Sequence, residues 1–299
     1  MLKKDSSRVL RGCICAALGG VFWGFSGTCG QYLFAHWPVS SLWLTCVRLL
    51  SAGTILLVMA LAKDAGEVKR LLRSPKDLAL TALYGVGGLM LCQYSYMTGI
   101  SHSNAATTTV LQTTTIVMVM VIDCLHRRRT PKWYESLSVV LALFGTFMLA
   151  TGGNPGQMVL STKGLFWGLM TAAAMTFYTL LGRPLTAKWS RNAMMGLAML
   201  MGGVVLTLGA RSWTLYTPLP VTGWLLVCGI VAMGTLISFS LFIQGIRDAG
   251  PVRSSILSVT EPVSAALLAF FWLGTRFTPA DLIGFAAILA TVFLLAKQE

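Results

Sequence analysis

The chain has 299 residues, 55% hydrophobic and only 11% charged, with a formal net charge of +13 and a mean hydropathy of +0.72. Soluble domains carry about 25% charged residues, so the composition excludes a water-soluble globular protein and reads as one integral membrane bundle. The basic residues fall in alternate short loops, as membrane topology requires, which excludes a nucleic-acid-binding role.

Ten apolar segments approach the roughly 20 residues that cross a bilayer. In the first part of the chain they run Val9–Tyr32, Val39–Ala62, Asp77–Ile100, Asn104–Ile122 and Trp133–Thr151. Lys163–Leu185, Asn192–Ala210, Thr222–Ile246, Pro251–Leu273 and Pro279–Ala296 follow. The turns between them carry Pro, Gly, Asn and Asp, and no segment alternates like a strand. The expected fold is an all-α membrane protein with ten transmembrane helices. The first segment follows Lys3, Lys4, Arg8 and Arg11 and could pass for a signal peptide. It lacks a small-residue cleavage site and is long enough to span, so it is expected to be a retained helix.

Orientation follows from the basic loops. Nineteen of the 23 Lys and Arg residues fall on one side of this ten-span reading. Lys163, Arg211 and Arg276 fall on the other, and Arg48 lies inside the second segment. Both termini are therefore expected in the cytoplasm, with the protein in a plasma membrane of the bacterial inner-membrane type.

The chain also repeats itself. Gly20-Val21-Phe22-Trp23-Gly24 returns as Gly164-Leu165-Phe166-Trp167-Gly168, an offset of 144. Tyr96-Met97-Thr98-Gly99-Ile100 matches Phe242-Ile243-Gln244-Gly245-Ile246, an offset of 146. The two repeats cover residues 9–151 and 163–297. Each holds five helices, an odd number, so the second is inverted relative to the first. Inverted repeats mark secondary transporters, whose substrate site lies near the midplane between the halves. Duplicated bundles can also be channels or scaffolds.

Against this frame Glu261 stands out, because a carboxylate halfway along a membrane span is costly and usually faces a bundle interior or a wet cavity. Pro262 beside it removes a backbone donor, which predicts a kink and a free carbonyl at Ser258. Ser254, Ser258 and Glu261 are spaced i, i+4, i+7 on one helix face. The offset of 146 maps them onto Thr108, Gln112 and Thr115, a second polar stripe. Such stripes either line a substrate cavity or hydrogen-bond neighbouring helices. Arg48 must find an anion, a carbonyl or water. It is read here as a structural or charge partner, with a substrate-anion anchor as the other reading. Trp23 and Trp167, in the repeated motif, are candidate flat faces for an organic substrate, as are Tyr94, Tyr96 and Tyr178. Gln93 and Ser238 complete the midplane polar set. The glycines around the two tryptophans are spaced for close helix contact.

Enzymatic chemistry finds no support. His36, His102 and His126 lie near segment edges, and there is no His-Glu-x-x-His motif, paired intramembrane aspartate or phosphate-binding loop. The seven cysteines are read as small apolar packers. No catalytic residue, metal site or cofactor is expected.

The halves and their motifs resemble the drug/metabolite transporter superfamily, specifically its EamA-type branch. Ser103-Asn104-Ala105-Ala106-Thr107 with Val110-Leu111-Gln112 is similar to that family's start of helix 4. Leu257-Ser258-Val259-Thr260-Glu261-Pro262-Val263 is similar to its helix 9 signature. The resemblance implies a central cavity formed by helices 1, 3, 4, 6, 8 and 9, with helices 5 and 10 peripheral. It also implies proton-linked or exchange movement of a small metabolite, commonly export of amino acids or related compounds. The family's helix 4 proline is replaced here by Ile116, and Thr113, Thr114 and Thr115 stand beside it. The two halves are therefore expected to bend unequally.

The function expected is secondary active transport by alternating access, with a passive channel or facilitator for small polar solutes as the alternative. Glu261 would be substrate ligand and proton carrier. Gln112, Thr108, Thr115, Ser258, Trp23, Trp167 and Gln93 would bind substrate. The partners implied are a small-molecule substrate and the lipid bilayer, with no nucleic acid, and a homodimer stays open.

Overall fold

The structure is a computed structural model describing residues 2–296. Helices account for nearly all of it, and no strand occurs among the described residues. We label the helices α1 (Leu2–His36), α2 (Ser41–Leu72), α3 (Pro75–His102), α4 (Ala105–His126) and α5 (Trp133–Thr151). They continue as α6 (Thr162–Lys188), α7 (Arg191–Gly209), α8 (Val221–Ala249), α9 (Pro251–Leu257 and Thr260–Leu273) and α10 (Pro279–Ala296). Eight of these, α1 to α8, are long and apolar enough to cross a membrane; the second piece of α9 and α10 are shorter apolar helices.

Local chemistry sets the boundaries. Asn104 caps α4 by accepting from the Thr107 amide at 2.8 Å, and Ser161 caps α6 through the Gly164 amide at 3.0 Å. Proline occupies the first position of α3, α9 and α10, where its missing N–H costs nothing. Gly152 and Gly274 end α5 and α9 in the left-handed conformation, with φ of 63° and 66°. The apolar run of α2 stops near Ala62, and Asp64 breaks the helix there with φ −156° and ψ 87°. The Asp64 carboxylate then accepts from the Glu67 amide at 3.0 Å and starts a short polar continuation.

Packing repeats in pairs. α1 packs against α8 and α9, and α6 against α3 and α4; α2 pairs with α7 and α5 with α10. Exchanging α1–α5 with α6–α10 maps this set of contacts onto itself. Small residues permit the approaches: a Cβ on Gly196 would lie 2.7 Å from the Leu57 amide, and one on Gly145 would lie 2.7 Å from the Gly284 carbonyl oxygen. Gln31 of α1 reaches the start of α4, its Oε1 accepting from the Ala105 amide at 2.8 Å.

Besides the break at Asp64, four interruptions of the regular helices among the described residues fall in two corresponding pairs. Tyr84–Met90 in α3 and Ala232–Ile237 in α8 are wide π-helical turns. Shifted by 146 residues, the first covers positions 230–236 and so overlaps the second. Such turns leave carbonyls displaced from the normal ladder and cluster at functional sites. α4 breaks at Thr114, and α9 breaks at Ser258–Val259.

This second pair corrects one expectation. The Ser258 carbonyl is not free: it accepts from the Glu261 amide at 2.9 Å, a tighter i−3 bond made in place of the one Pro262 cannot give. α4 is interrupted at the corresponding place without a proline. Its threonines act instead. Thr113 Oγ1 donates to the Val110 carbonyl and Thr114 Oγ1 to the Leu111 carbonyl at 2.7 Å. Hydroxyls bonded back onto the preceding turn in this way bend helices.

Candidate functional site

The wide turns and breaks surround one cavity of about 180 Å³. Polar groups reach it from five helices: Gln93 and Tyr96 of α3, Gln112 of α4, Tyr178 of α6, Glu261 of α9, and Arg48 of α2. Trp23 of α1, Phe239 and Phe242 of α8, and Leu89, Cys92 and Met175 complete the wall. The lining thus comes from the six helices the family resemblance implies, with α2 added through Arg48.

Glu261 is held at the break of α9. The glycine motif of α1 makes this placement possible. A Cβ at Gly20 would lie 3.1 Å from the Glu261 amide nitrogen, and one at Gly24 would lie 2.6 Å from the Glu261 carbonyl oxygen. With no side chain on that face of α1, the α9 break packs directly against its backbone, and the Glu261 side chain forms part of the cavity wall.

Arg48 is 5% exposed and is anchored by the wide turn of α8. Its Nε donates to Thr235 Oγ1 and its Nη2 to the Gly234 carbonyl, both at 3.1 Å. A carbonyl displaced by the π-turn therefore serves as acceptor for a buried cation. The third nitrogen, Nη1, is buried with no protein partner among the described residues. Arg48 and Glu261 border the same cavity, yet no ion pair joins them among the described residues. In the other half the wide turn of α3 packs backbone on backbone: a Cβ on Gly85 would lie 2.4 Å from the Ala198 carbonyl oxygen.

Of the residues singled out in the sequence, the cavity brings together Glu261, Gln112, Gln93, Trp23, Arg48, Tyr96 and Tyr178. Tyr94, Ser238 and Ser254 stand outside its wall, as do four of the expected substrate ligands. Thr108 is fully buried, its hydroxyl 3.0 Å from Ser103 Oγ. Thr115 donates across to the Ala172 carbonyl of α6 at 2.6 Å, the interhelical use of a polar stripe. Ser258 sits at the α9 break. Trp167 packs edge-on against Tyr94, with ring centroids 5.3 Å apart. Its repeat counterpart Trp23 packs against Phe239 and Phe242 at 5.1 and 5.2 Å, and of the two only Trp23 reaches the cavity.

Phe239 and Phe242 were absent from the sequence reading of the site, although a signal for them existed. The 146-residue offset carries Gln93 to Phe239 and Tyr96 to Phe242, so two of the cavity positions on α3 have lining counterparts on α8. Cys92, Leu89 and Met175 carried no comparable mark, since an apolar residue on a membrane helix has no distinguishing chemistry.

A multi-pass helical membrane protein with an interior cavity carrying one carboxylate and one guanidinium has the architecture of a membrane transport protein. The EamA-like transporter family model matches residues 10–151 and again residues 162–297, and the chain belongs to that family. It is 34% identical over 292 residues to the uncharacterized inner membrane transporter YicL of Salmonella typhimurium, covering 97% of this chain and 96% of that one. It is 24% identical over 287 residues to the uncharacterized transporter YwfM of Bacillus subtilis, covering 93% and 91%. A solved crystal structure shares the fold with a TM-score of 0.62 at 18% identity, over 97% of this chain and 96% of that one.

Proposed function

We propose that the protein is a secondary transporter that moves a small metabolite, an amino acid or related compound, outward across the bacterial inner membrane by alternating access. In this reading all ten helices span the bilayer, residues 9–151 and 163–297 form inverted repeats, and both termini face the cytoplasm with the Lys/Arg-rich loops. The interchange of packing partners between α1–α5 and α6–α10 supports the repeat. Family membership and the YicL likeness support the transport role and the inner-membrane setting.

The observation that carries the reading is the shared cavity. Both halves contribute to it, and it holds one carboxylate at a helix break within an apolar interior. Glu261 serves there as proton carrier, with Gln112, Gln93 and Trp23 contacting substrate. Thr108, Thr115, Ser258 and Trp167 support the walls around them.

Flux in proteoliposomes tests it. Labelled amino acids should show saturable counterflow, which a passive channel cannot produce. Glu261→Gln should abolish proton-linked flux while the protein still elutes as a folded monodisperse species. Undiminished proton coupling in that variant removes Glu261 from the mechanism.

A further inference from the structure

The cavity contains a cation whose hydrogen-bonding capacity the protein does not use up. A guanidinium has five N–H donors in a planar fork that matches a carboxylate, and it stays charged in a protein interior. Arg48 spends its Nε and Nη2 on the α8 turn. Its Nη1 is left without a protein partner in a membrane interior, where an unmet charged donor costs several times what a neutral one does. The nearest acid in the cavity wall, Glu261, does not pair with it, and the other titratable lining groups, Cys92, Tyr96 and Tyr178, are neutral at working pH. The corresponding turn in the other half packs backbone on backbone, so this charge is particular to one side of the cavity.

We propose that Arg48 is the anchor for a carboxylate on the transported solute, with the aromatic and aliphatic wall receiving an apolar body. This rests on the transport reading and specifies its substrate class: a monocarboxylate whose recognition needs the acid and not an amine. Size and charge narrow the class. A cavity of about 150 Å³ accommodates benzene, so one of about 180 Å³ takes a body of that size with one small head group. A single guanidinium facing a second acid favours a monoanion over a doubly charged phosphate. Trp23, Phe239 and Phe242 form a continuous aromatic cluster on the α1–α8 side of the wall. Because Glu261 borders the same space, its ionised form opposes the solute anion and its protonated form does not. Removing one charge or the other should therefore shift affinity in opposite directions.

The test is binding to the purified full-length protein by calorimetry, with phenylacetate, phenylacetamide, phenethylamine and phenylphosphonate as probes. Phenylacetate is expected to bind about ten- to a hundredfold more tightly than the amide, the range of one charge-assisted hydrogen-bonded contact. Arg48→Gln should erase that preference, and Glu261→Gln should preserve or enlarge it. Equal affinity for acid and amide in the unmodified protein, or tightest binding of the amine or the phosphonate, overturns the proposal even if Arg48→Gln fails to fold. A shift of both variants in the same direction overturns it as well. Counterflow of labelled phenylacetate separates the two levels: binding without flux removes the transport reading and leaves the anchor. Saturable flux of amino acids that is unchanged in Arg48→Gln removes the anchor and leaves transport.

Discussion

Gly24 and Glu261 are in backbone contact across α1 and α9: a Cβ on Gly24 would sit 2.6 Å from the Glu261 carbonyl oxygen and 2.1 Å from Ser264 Oγ. The same carbonyl accepts from Ser264 Oγ at 2.9 Å, so the first turn after the α9 break is held from two sides. Gly24→Ala would place its methyl against backbone atoms that cannot rotate away. Overpacking of this kind costs about 1–3 kcal/mol. The expected outcome is a lower melting temperature in detergent and reduced substrate flux, because the displaced element carries Glu261. Gly30, whose nearest neighbour would be the flexible Met97 sulfur at 3.3 Å, is the matched control. Its alanine variant should lose less than half as much stability.

Thr114→Val keeps the shape of the side chain and removes the hydroxyl that bonds the Leu111 carbonyl. The Thr114 amide would still reach Leu111 at 3.1 Å, so the break should weaken rather than vanish. Each such bond contributes about 1 kcal/mol net. The double variant Thr113→Val/Thr114→Val is expected to straighten α4. Amide hydrogen exchange across residues 110–118 should slow, and transport should fall with the protein still folded. Unchanged exchange in the double variant would show that packing against α6, rather than the hydroxyls, holds the bend.

Much of the fold could be read from the residues alone, and the reasons are physical. Segment length reports the thickness of the bilayer, turn residues report the boundaries, and a repeated GxFWG motif reports a duplicated unit. Glu261, Gln112 and Arg48 were visible because polar groups inside apolar helices must be compensated. The wide turns were not legible. Gly85, Gly87, Gly88 and Gly234 permit them, but glycine is common throughout this chain and its other occurrences serve close packing. Nor can helical periodicity say which stripe member faces a cavity. Thr108, Gln112 and Thr115 share one spacing, yet only Gln112 lines the space, because the hydroxyls of the threonines are taken up near Ser103 and by Ala172. The break of α4 was hidden for a similar reason: Thr113 and Thr114 replace a proline as helix breaker only once their rotamers are known.

Glu135 tests the join between α4 and α5. It is fully buried, and its two oxygens accept from Arg129 Nη1 and Nη2 at 2.8 Å each, with the Lys132 amide adding a third bond at 2.7 Å. Glu135→Ala would take from Arg129, whose side chain is 31% exposed, its two short bonds, leave it the 3.4 Å contact with Asp123, and uncap α5. Breaking a buried pair costs about 3–5 kcal/mol, and the partial exposure of Arg129 brings the expected loss to about 2 kcal/mol. Thermal unfolding in detergent should register it. The cavity lies elsewhere in the bundle, so the binding affinity of the surviving folded protein should be unchanged.

Asp248 ties the beginning of α1 to the end of α8. Its carboxylate side chain is 2% exposed and accepts from Arg8 Nε at 3.0 Å, Arg11 Nη2 at 2.7 Å and Gln244 Nε2 at 2.8 Å. A Cβ on Gly12 would lie 2.7 Å from the Asp248 Cβ, so the two helices meet there with no intervening side chain. Both helices also line the cavity, through Trp23 on α1 and Phe239 and Phe242 on α8. Separation of α1 from α8 at this end would open a route to it, and the Asp248 cluster opposes that separation. Asp248→Asn keeps the shape and the contact with Gln244 while removing the charge that holds two arginines together. The cavity supplies its own reporter, because Cys92 is part of its wall. In a background where the other six cysteines are serine, the methanethiosulfonate reaction of Cys92 should run faster in Asp248→Asn than in the parent. Addition of a bound solute should slow both. An unchanged rate would mean that the α1–α8 ends stay closed without the ion pairs, held by the glycine contact alone.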